Sequence, residues 1–539
     1  MVKHFQIFLY LILSLSISSQ TRIFPSEFEK QKGIVLTWDY TPQRDSVISN
    51  MAGAVQNFAE VYIIYNPLTQ ICDTSCIRTY LLSRGVGYSN ISFIPAFSES
   101  LWIRHYGPLS GYRSNGDQMQ HFFLDAQFSQ YNRPNDDSIP LQLAHYWNIP
   151  VNPLALELEG SNIMLDGTGN GFGSKKIWQQ NPTLSNSLIG SLLKNNLGLT
   201  EFYFIDILEN SGGGIWMHVD MFMKIIDNQT ILVSKIPEYL PDYYLLESIA
   251  YQLSQLQNQL GTNYQVIRIP APPNENGLYA TSLNDEMRTY TNSVIINGTV
   301  LVPSYNPAFD SMARRIYQEN MPGYEVQMID ARTLTPSYGA LHSISREITR
   351  DNFLRIKHKK IAGGQDYKPS IYIQCVVQGN IIADSQFVYY KKNNEADFSR
   401  IPMFSACPYT IGQINDLQPN DTVWYYISVK SETEEICEPS IGKPGSHKFW
   451  FQQNVLVDDF QNEPEFEIFP INGNHGIRIH TKNLQSPWNI EVVDLIGRPV
   501  FMGCFSTSSA EIPLQLARAW YIVKVYNSHN FVSRKFFIQ

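Results

Sequence analysis

The chain has 539 residues, 43 % of them apolar and 17 % charged, which is enough to bury several cores and too long for one ordinary domain. A net charge of -9, with no Lys/Arg run that tracks a phosphate backbone, excludes non-specific binding to nucleic acid. The 31 Tyr and 29 Phe favour a sheet-rich protein, because flat rings pack well on a pleated surface.

The first residues read as an export signal over 1–19. Lys3 and His4 precede the apolar run Phe5 to Leu13, and Ser16 to Gln20 supply small residues for cleavage. No other stretch reaches the ~18 consecutive apolar residues of a spanning helix, so the mature chain is expected to be soluble and exported. Six cysteines are too sparse for a disulfide framework. Cys72 and Cys76 point to a local disulfide rather than a metal site, because no further His or Cys pair completes a ligand set. Cys375, Cys407 and Cys437 fall together later and can give one bridge and one free thiol.

From Thr21 onward a unit repeats. Gly33 to Trp38, Ser46 to Phe58 and Val61 to Tyr65 read as strand, helix, strand. Asn162 to Trp178 contains a loose hairpin around Asp166 to Gly171, followed by helix Ser187 to Leu197 and strand Glu201 to Ile205. Ile225 to Val233 is a tight hairpin around Asp227-Asn228-Gln229, followed by helix Tyr244 to Leu260 and strand Tyr264 to Ile269. About seventy residues later the pattern recurs as hairpin Ile295 to Val302, helix Asp310 to Asn320 and strand Tyr324 to Ile329. Such a unit cannot bury its apolar face alone, so several are expected to pack around a common axis as an α/β propeller with a central cleft. A doubly wound open sheet is the alternative, but no glycine-rich strand-to-helix turn with a downstream acid supports a dinucleotide site.

Four clusters in turns and strand ends carry candidate chemistry: Trp102 to Pro108, Glu159 to Asn162, Trp216 to Asp220, and Thr335 to Ser345. If 216–220 is a strand, His218 and Asp220 share a face and put a proton carrier beside a carboxylate. Such a pair is often purely structural; Gly212 to Gly214 just before it permit close approach of a ligand to the backbone.

Residues Phe24 to about Ile348 resemble the bacterial peptidylarginine deiminase and agmatine deiminase family. The resemblance rests on Phe24-Pro25-Ser26-Glu27-Phe28-Glu29, Trp102 to Pro108, Glu159 to Asn162, His218-Val219-Asp220, Thr289 to Ser293, Met321 to Val326 and Gly339 to Ile344, in register along the chain. It implies a five-bladed α/β propeller (the pentein fold) over 21–355, with no cofactor and no metal. It also implies a chemistry in which two carboxylates grip a guanidinium, a cysteine thiolate attacks its central carbon, and a histidine acts as acid and base. His218 stands at the histidine position and Asp220 at one carboxylate position, with Trp102, Asn162 and Arg133 at positions expected to contact substrate. Two positions depart: His105 stands where the family has aspartate, and Ser343 where it has the nucleophilic cysteine. The loop Tyr131-Asn132-Arg133-Pro134-Asn135-Asp136-Asp137 is shorter by an Arg-Pro pair than the clamp that holds a C-terminal arginine in the peptidylarginine members. The implied partner is an arginine-containing peptide or guanidino small molecule, and the implied state a deiminase homologue with little or no activity. The alternative is an amidine hydrolase that uses Ser343 with His218 and Asp220.

Arg355 to Lys360 with Gly363-Gly364 reads as a linker. The alternating strands of 365–451, such as Ile371 to Val376 and Val423 to Val429, read as a β-sandwich resembling the immunoglobulin-like module of secreted peptidylarginine deiminases. Residues 455–539 read as a second β-sandwich domain and resemble a C-terminal sorting domain of the type IX secretion system, through Ile468 to Gly473, Ile490 to Arg498, Trp520 to Val525 and Lys535 to Ile538. That resemblance implies secretion to the surface or surroundings of a Gram-negative bacterium and the type IX machinery as a partner.

Overall fold

The repeating unit is plainest where Met223–Asp227 and Thr230–Lys235 form an antiparallel hairpin and Gln265–Pro270 returns parallel to the second strand. A parallel return cannot be made by a tight turn, and here the helix Tyr243–Gln255 makes the crossover. Ile231, Leu232 and Val233 are fully buried, as befits a strand covered on both faces. The same unit recurs as Val294–Ile296, Thr299–Ser304, helix Pro307–Asn320 and Glu325–Asp330. That helix starts where the sequence dictates: the Asn306 side chain accepts from Ala308 N at 3.1 Å, and Pro307 occupies the first helical position. A third copy comprises Met164–Leu165, Asn170–Ser174, helix Asn186–Leu197 and Glu201–Ile205.

The computed structural model describes residues 21–451 other than 70, 117, 130–131, 211–216, 380–381 and 383–384, and residues 465–537 other than 472–475, 483–486, 495–498, 514–518 and 527–530. The export segment 1–19, Tyr131, Gly212 to Gly214 and Trp216 lie outside the described residues.

In the first unit, Gly33–Thr37 pairs in parallel with Glu60–Tyr65, which pairs with Ile91–Pro95. Its antiparallel partner is Ser345–Ile348, more than three hundred positions downstream by numbering, in the register Ser345↔Leu36. The last strand of the region thereby closes the first sheet. A further unit, not picked out in the sequence, consists of Leu109–Asn115, Gln118–Gln127, helix Ile139–Trp147 and Val151–Glu157. Among the described residues, 22–348 form five small mixed sheets.

Residues 354–451 form two further β-sheets around Val388, Tyr425, Ile427 and Phe449. The basic stretch expected as a linker is instead partly a strand, Leu354–His358, antiparallel to Ile371–Gly379. Its cations are ordered by carboxylates of the preceding region: Arg355 meets Glu29 at 2.6 Å, and the adjoining Lys360 meets Asp227 at 2.6 Å. Residues 1–452 group as one compact unit and 453–539 as a second. The second has two antiparallel sheets closing on Phe466, Ile477, Trp488, Ile490 and Val523. Cys72 and Cys76 form the local disulfide, but the bridge expected among Cys375, Cys407 and Cys437 is absent and all three are free. Cys375 is enclosed in the hydrophobic core of its sheets, and burial pushes its thiol up to about 12.

Burial, with repulsion from Asp227 and Glu29, also pushes the Glu438 carboxyl up to about 7 against the opposing charges of His358 and Lys360. The folded state holds this proton more tightly than the unfolded chain, where a glutamate titrates near 4.5. The resulting stabilisation is present below that value and is lost as pH rises through about 7. Glu438→Gln, which cannot ionise, is expected to raise the melting temperature at about pH 8 relative to its effect at about pH 5; an equal effect at both contradicts the buried carboxyl.

Candidate active site

The chemically interesting side chains are carried on turns adjoining the sheets. Glu159 follows the strand Val151–Glu157, His105 lies in the short helix Ile103–Tyr106, and Asn292 and Ser343 immediately precede the strands Val294–Ile296 and Ser345–Ile348. Two glycines permit the approach. A Cβ on Gly160 falls 2.5 Å from the Arg104 carbonyl, so glycine lets the Glu159 turn lie against the His105 helix. A Cβ on Gly339 falls 2.6 Å from the Trp102 ring and 3.0 Å from Ser343 Oγ, so glycine is what brings Trp102 against the Ser343 turn. Arg104 Nε donates to the His342 carbonyl at 3.1 Å and ties these two turns together.

Glu159 is the hub. Its Oε2 lies 2.9 Å from His105 Nδ1 and 3.4 Å from His218 Nε2, while Gln180 Nε2 donates to Oε1 at 2.7 Å. His218 Nδ1 is 2.7 Å from Ser161 Oγ. The two imidazole rings stand edge to face, 5.2 Å apart. Burial pushes Glu159 up, but the charges and hydrogen bonds of His218 and His105 outweigh it and hold the carboxyl well below the usual range.

A second chain of contacts runs through Asp220. His342 Nδ1 is 2.8 Å from Asp220 Oδ2, and His342 Nε2 is 3.2 Å from Glu27 Oε2. Glu27 also accepts from Lys224 Nζ at 2.5 Å and Ile295 N at 2.6 Å. Burial opposes ionisation of Asp220, yet the hydrogen bond and charge of His342, with His218 and His105 nearby, hold it low. Asp220 is 1 % exposed and its Oδ1 has no hydrogen-bond partner among the described residues, so one oxygen of a buried carboxylate remains to accept from a ligand. Ser343 Oγ contacts the Asn292 amide, at 3.3 Å to Nδ2 and 3.4 Å to Oδ1.

These contacts correct the strand reading of His218 and Asp220. Val219–Met221 is a 3₁₀ turn with His218 preceding it, and the two side chains engage different partners: His218 faces Ser161 and Glu159, Asp220 faces His342. For the serine-hydrolase alternative, the two imidazole nitrogens of His218 face Ser161 and Glu159, and Ser343 Oγ meets the Asn292 amide. Asn162, expected to contact substrate, is fully buried; its Oδ1 accepts from Ser174 N at 2.9 Å and Val219 N at 3.2 Å, and its Nδ2 has no hydrogen-bond partner among the described residues. Trp102 borders the Ser343 turn. Arg133 precedes the short helix Pro134–Asp137, whose Asp136 binds Ser98, Glu99 and Ser100 just upstream of Trp102; among the described residues no hydrogen bond or ion pair joins the Arg133 side chain to the site. The sequence alone assigns no hub role to Glu159 and no particular role to His342, Glu27 or Asn292. Both acids and Asn292 lie inside motifs quoted for the family resemblance, which was the available signal.

The family model for Porphyromonas-type peptidyl-arginine deiminase matches residues 23–348. A protein of Vibrio parahaemolyticus that carries the provisional name agmatine deiminase is 24 % identical over 351 residues, covering 60 % of this chain and 96 % of that one. The agmatine deiminase of Pseudomonas fluorescens is 23 % identical over 290 residues, covering 48 % of this chain and 77 % of its own. Among solved structures, an agmatine deiminase of C. jejuni carrying a cysteine-to-serine substitution, with substrate bound, superposes with a TM-score of 0.54 at 19 % identity, covering 62 % of this chain and 99 % of that one. These matches give residues 23–348 the fold of the deiminase relatives.

The Glu27–Lys224 pair is buried, with the Lys224 side chain 1 % exposed. Removing one partner of a buried pair leaves the other charge uncompensated. Glu27→Ala is expected to lower unfolding free energy by roughly 3–5 kcal/mol in a denaturant titration, and a loss under about 1 kcal/mol, the range of exposed pairs, contradicts the buried pairing.

Proposed function

This chain belongs to the Porphyromonas-type peptidyl-arginine deiminase family, and we propose that it binds an arginine-like guanidinium group at Asp220 while the covalent deiminase route is closed. The observation that carries this reading is Ser343 at the nucleophile position, its hydroxyl against Asn292 and without an imidazole partner among the described residues. A thiol titrates near 8.5 and reaches the thiolate with modest help from positive charge. A serine hydroxyl stays protonated until a base takes its proton during attack, and here no base is in hydrogen-bonding contact with it. None of the six cysteines lies among the site residues to take over the role.

Binding asks less of the site than turnover. A guanidinium is planar and cationic, and a buried carboxylate with an unoccupied acceptor oxygen is its natural partner. Asp220 Oδ1 meets that description. His105 in place of a second carboxylate removes one charge-assisted contact, which lowers affinity without abolishing the cavity's preference for a cation. That a C. jejuni agmatine deiminase with serine substituted for a cysteine holds its substrate is consistent with binding that survives such a change.

The wider assignments form part of the same proposal. The five sheets are read as the blades of a propeller over 21–355, supported by the closure of the first sheet by Ser345–Ile348. The sheets of 365–451 are read as an immunoglobulin-like support module, and 455–539 as a type IX sorting domain on a chain exported from a Gram-negative bacterium after loss of 1–19.

Ammonia and citrulline release from peptidyl-arginine and agmatine tests the reading. The native chain is expected to give no turnover above buffer, and Ser343→Cys combined with His105→Asp is expected to gain it. Turnover by the native chain that disappears in Ser343→Ala instead supports the amidine hydrolase alternative and overturns the proposal.

A further inference from the structure

His105 does more than remove a carboxylate from the expected guanidinium clamp. It adds a second imidazole to a pair that already contains a histidine and a glutamate. His105, Glu159 and His218 each bring one nitrogen or carboxylate oxygen to within 4.8 Å of the others, and all three residues are buried. They come from three separate turns, so the convergence is a product of the tertiary fold and not of a local sequence motif. The sequence reading, which assigned no metal ligand, had no means of detecting it.

We propose that these three atoms form a binding site for a first-row divalent transition ion, of the His₂Glu type used by zinc. Four features of the site support this. The donor set is right, because imidazole with one carboxylate selects Zn²⁺ and its neighbours over the oxygen-seeking Mg²⁺ and Ca²⁺. The two separations from Glu159 are close to those a metal would need. Metal–ligand bonds of about 2.0–2.2 Å in a tetrahedron separate donor atoms by roughly 3.3 Å, and the two separations from Glu159 Oε2 are 2.9 and 3.4 Å.

The outer contacts are those a ligand set needs. Ser161 Oγ, 2.7 Å from His218 Nδ1, is placed to accept that ring proton when an ion takes the Nε2 lone pair. Gln180 donating to Glu159 Oε1 turns Oε2 alone toward the imidazoles, as monodentate ligation requires. Charge provides the fourth. Glu159 and Asp220 are two buried carboxylates in one neighbourhood, and a doubly charged ion compensates both without protonating either histidine. Asp220 Oδ1, buried and unpartnered among the described residues, remains to accept from a group bound beside the ion.

The inference does not depend on the guanidino reading, because it concerns only metal affinity. The test is calorimetric titration of the full chain, freed of metal by chelator and dialysis, with ZnCl₂, together with the visible spectrum after CoCl₂ addition. One ion per chain is expected, with the strong visible bands of tetrahedral Co²⁺ and a melting temperature that rises with zinc. His105→Ala, which removes one donor, is expected to lose the tetrahedral Co²⁺ spectrum and the thermal shift. Ser161→Ala, which keeps all three ligands, is expected to bind about 10- to 100-fold more weakly, a loss that a site elsewhere on the surface does not show. Absence of saturable binding, or binding unchanged in both His105→Ala and Ser161→Ala, overturns the proposal.

Discussion

Three carboxylates, Glu27, Glu159 and Asp220, sit where the turns of this fold converge, and little water reaches them. An ionised carboxylate in such a place is costly unless a cation or a set of donors answers it. The answering groups come from distant parts of the chain: Lys224 and His342 for Glu27, His342 for Asp220, His105 and His218 for Glu159. His342 answers two acids at once, so the Ser343 turn is held in place by its neighbour rather than by Ser343 itself. That compensation couples the sheets, since no acid and its partner belong to the same turn.

The same arrangement separates recognition from reaction. Recognition of a guanidinium is electrostatic and needs a buried acceptor, which Asp220 retains. Covalent attack needs a nucleophile already close to its ionised form, which a serine beside an amide is not. The two departures at Ser343 and His105 are unlike in kind. One deletes a reactive atom; the other exchanges an oxygen donor for a nitrogen donor and alters what the cavity can hold. On the proposed reading the covalent mechanism is lost while the contacts of Ser161 and Gln180 still order His218 and Glu159.

Much of the architecture was legible because it is local. Asp227-Asn228 and Asn297-Gly298 mark tight turns between β-branched runs, and the helices after them carry clear apolar faces. The unit at Leu109–Asn115 escaped notice although Asn115-Gly116 is a hairpin signal, because its strands alternate with many polar residues such as Arg113, Gln118 and Gln120. Non-local features were not legible at all. Nothing near Ser345 announces that its strand pairs with Leu36, and the cations Arg355 and Lys360 looked like a solvated linker because the acids that order them lie far away in sequence. His218 and Asp220 misled for a geometric reason. Two residues apart share a face in a strand but point about 120° apart in a 3₁₀ turn, so the expected His–Asp pair became two separate His–acid contacts.

A guanidinium site without guanidinium chemistry can be distinguished by isothermal titration of the native chain with agmatine and an arginine-terminated peptide, with ammonia measured in the same samples. Saturable one-site binding that Asp220→Asn removes, and no ammonia, are expected. Binding indifferent to Asp220→Asn, or ammonia accumulating with bound ligand, contradicts that reading.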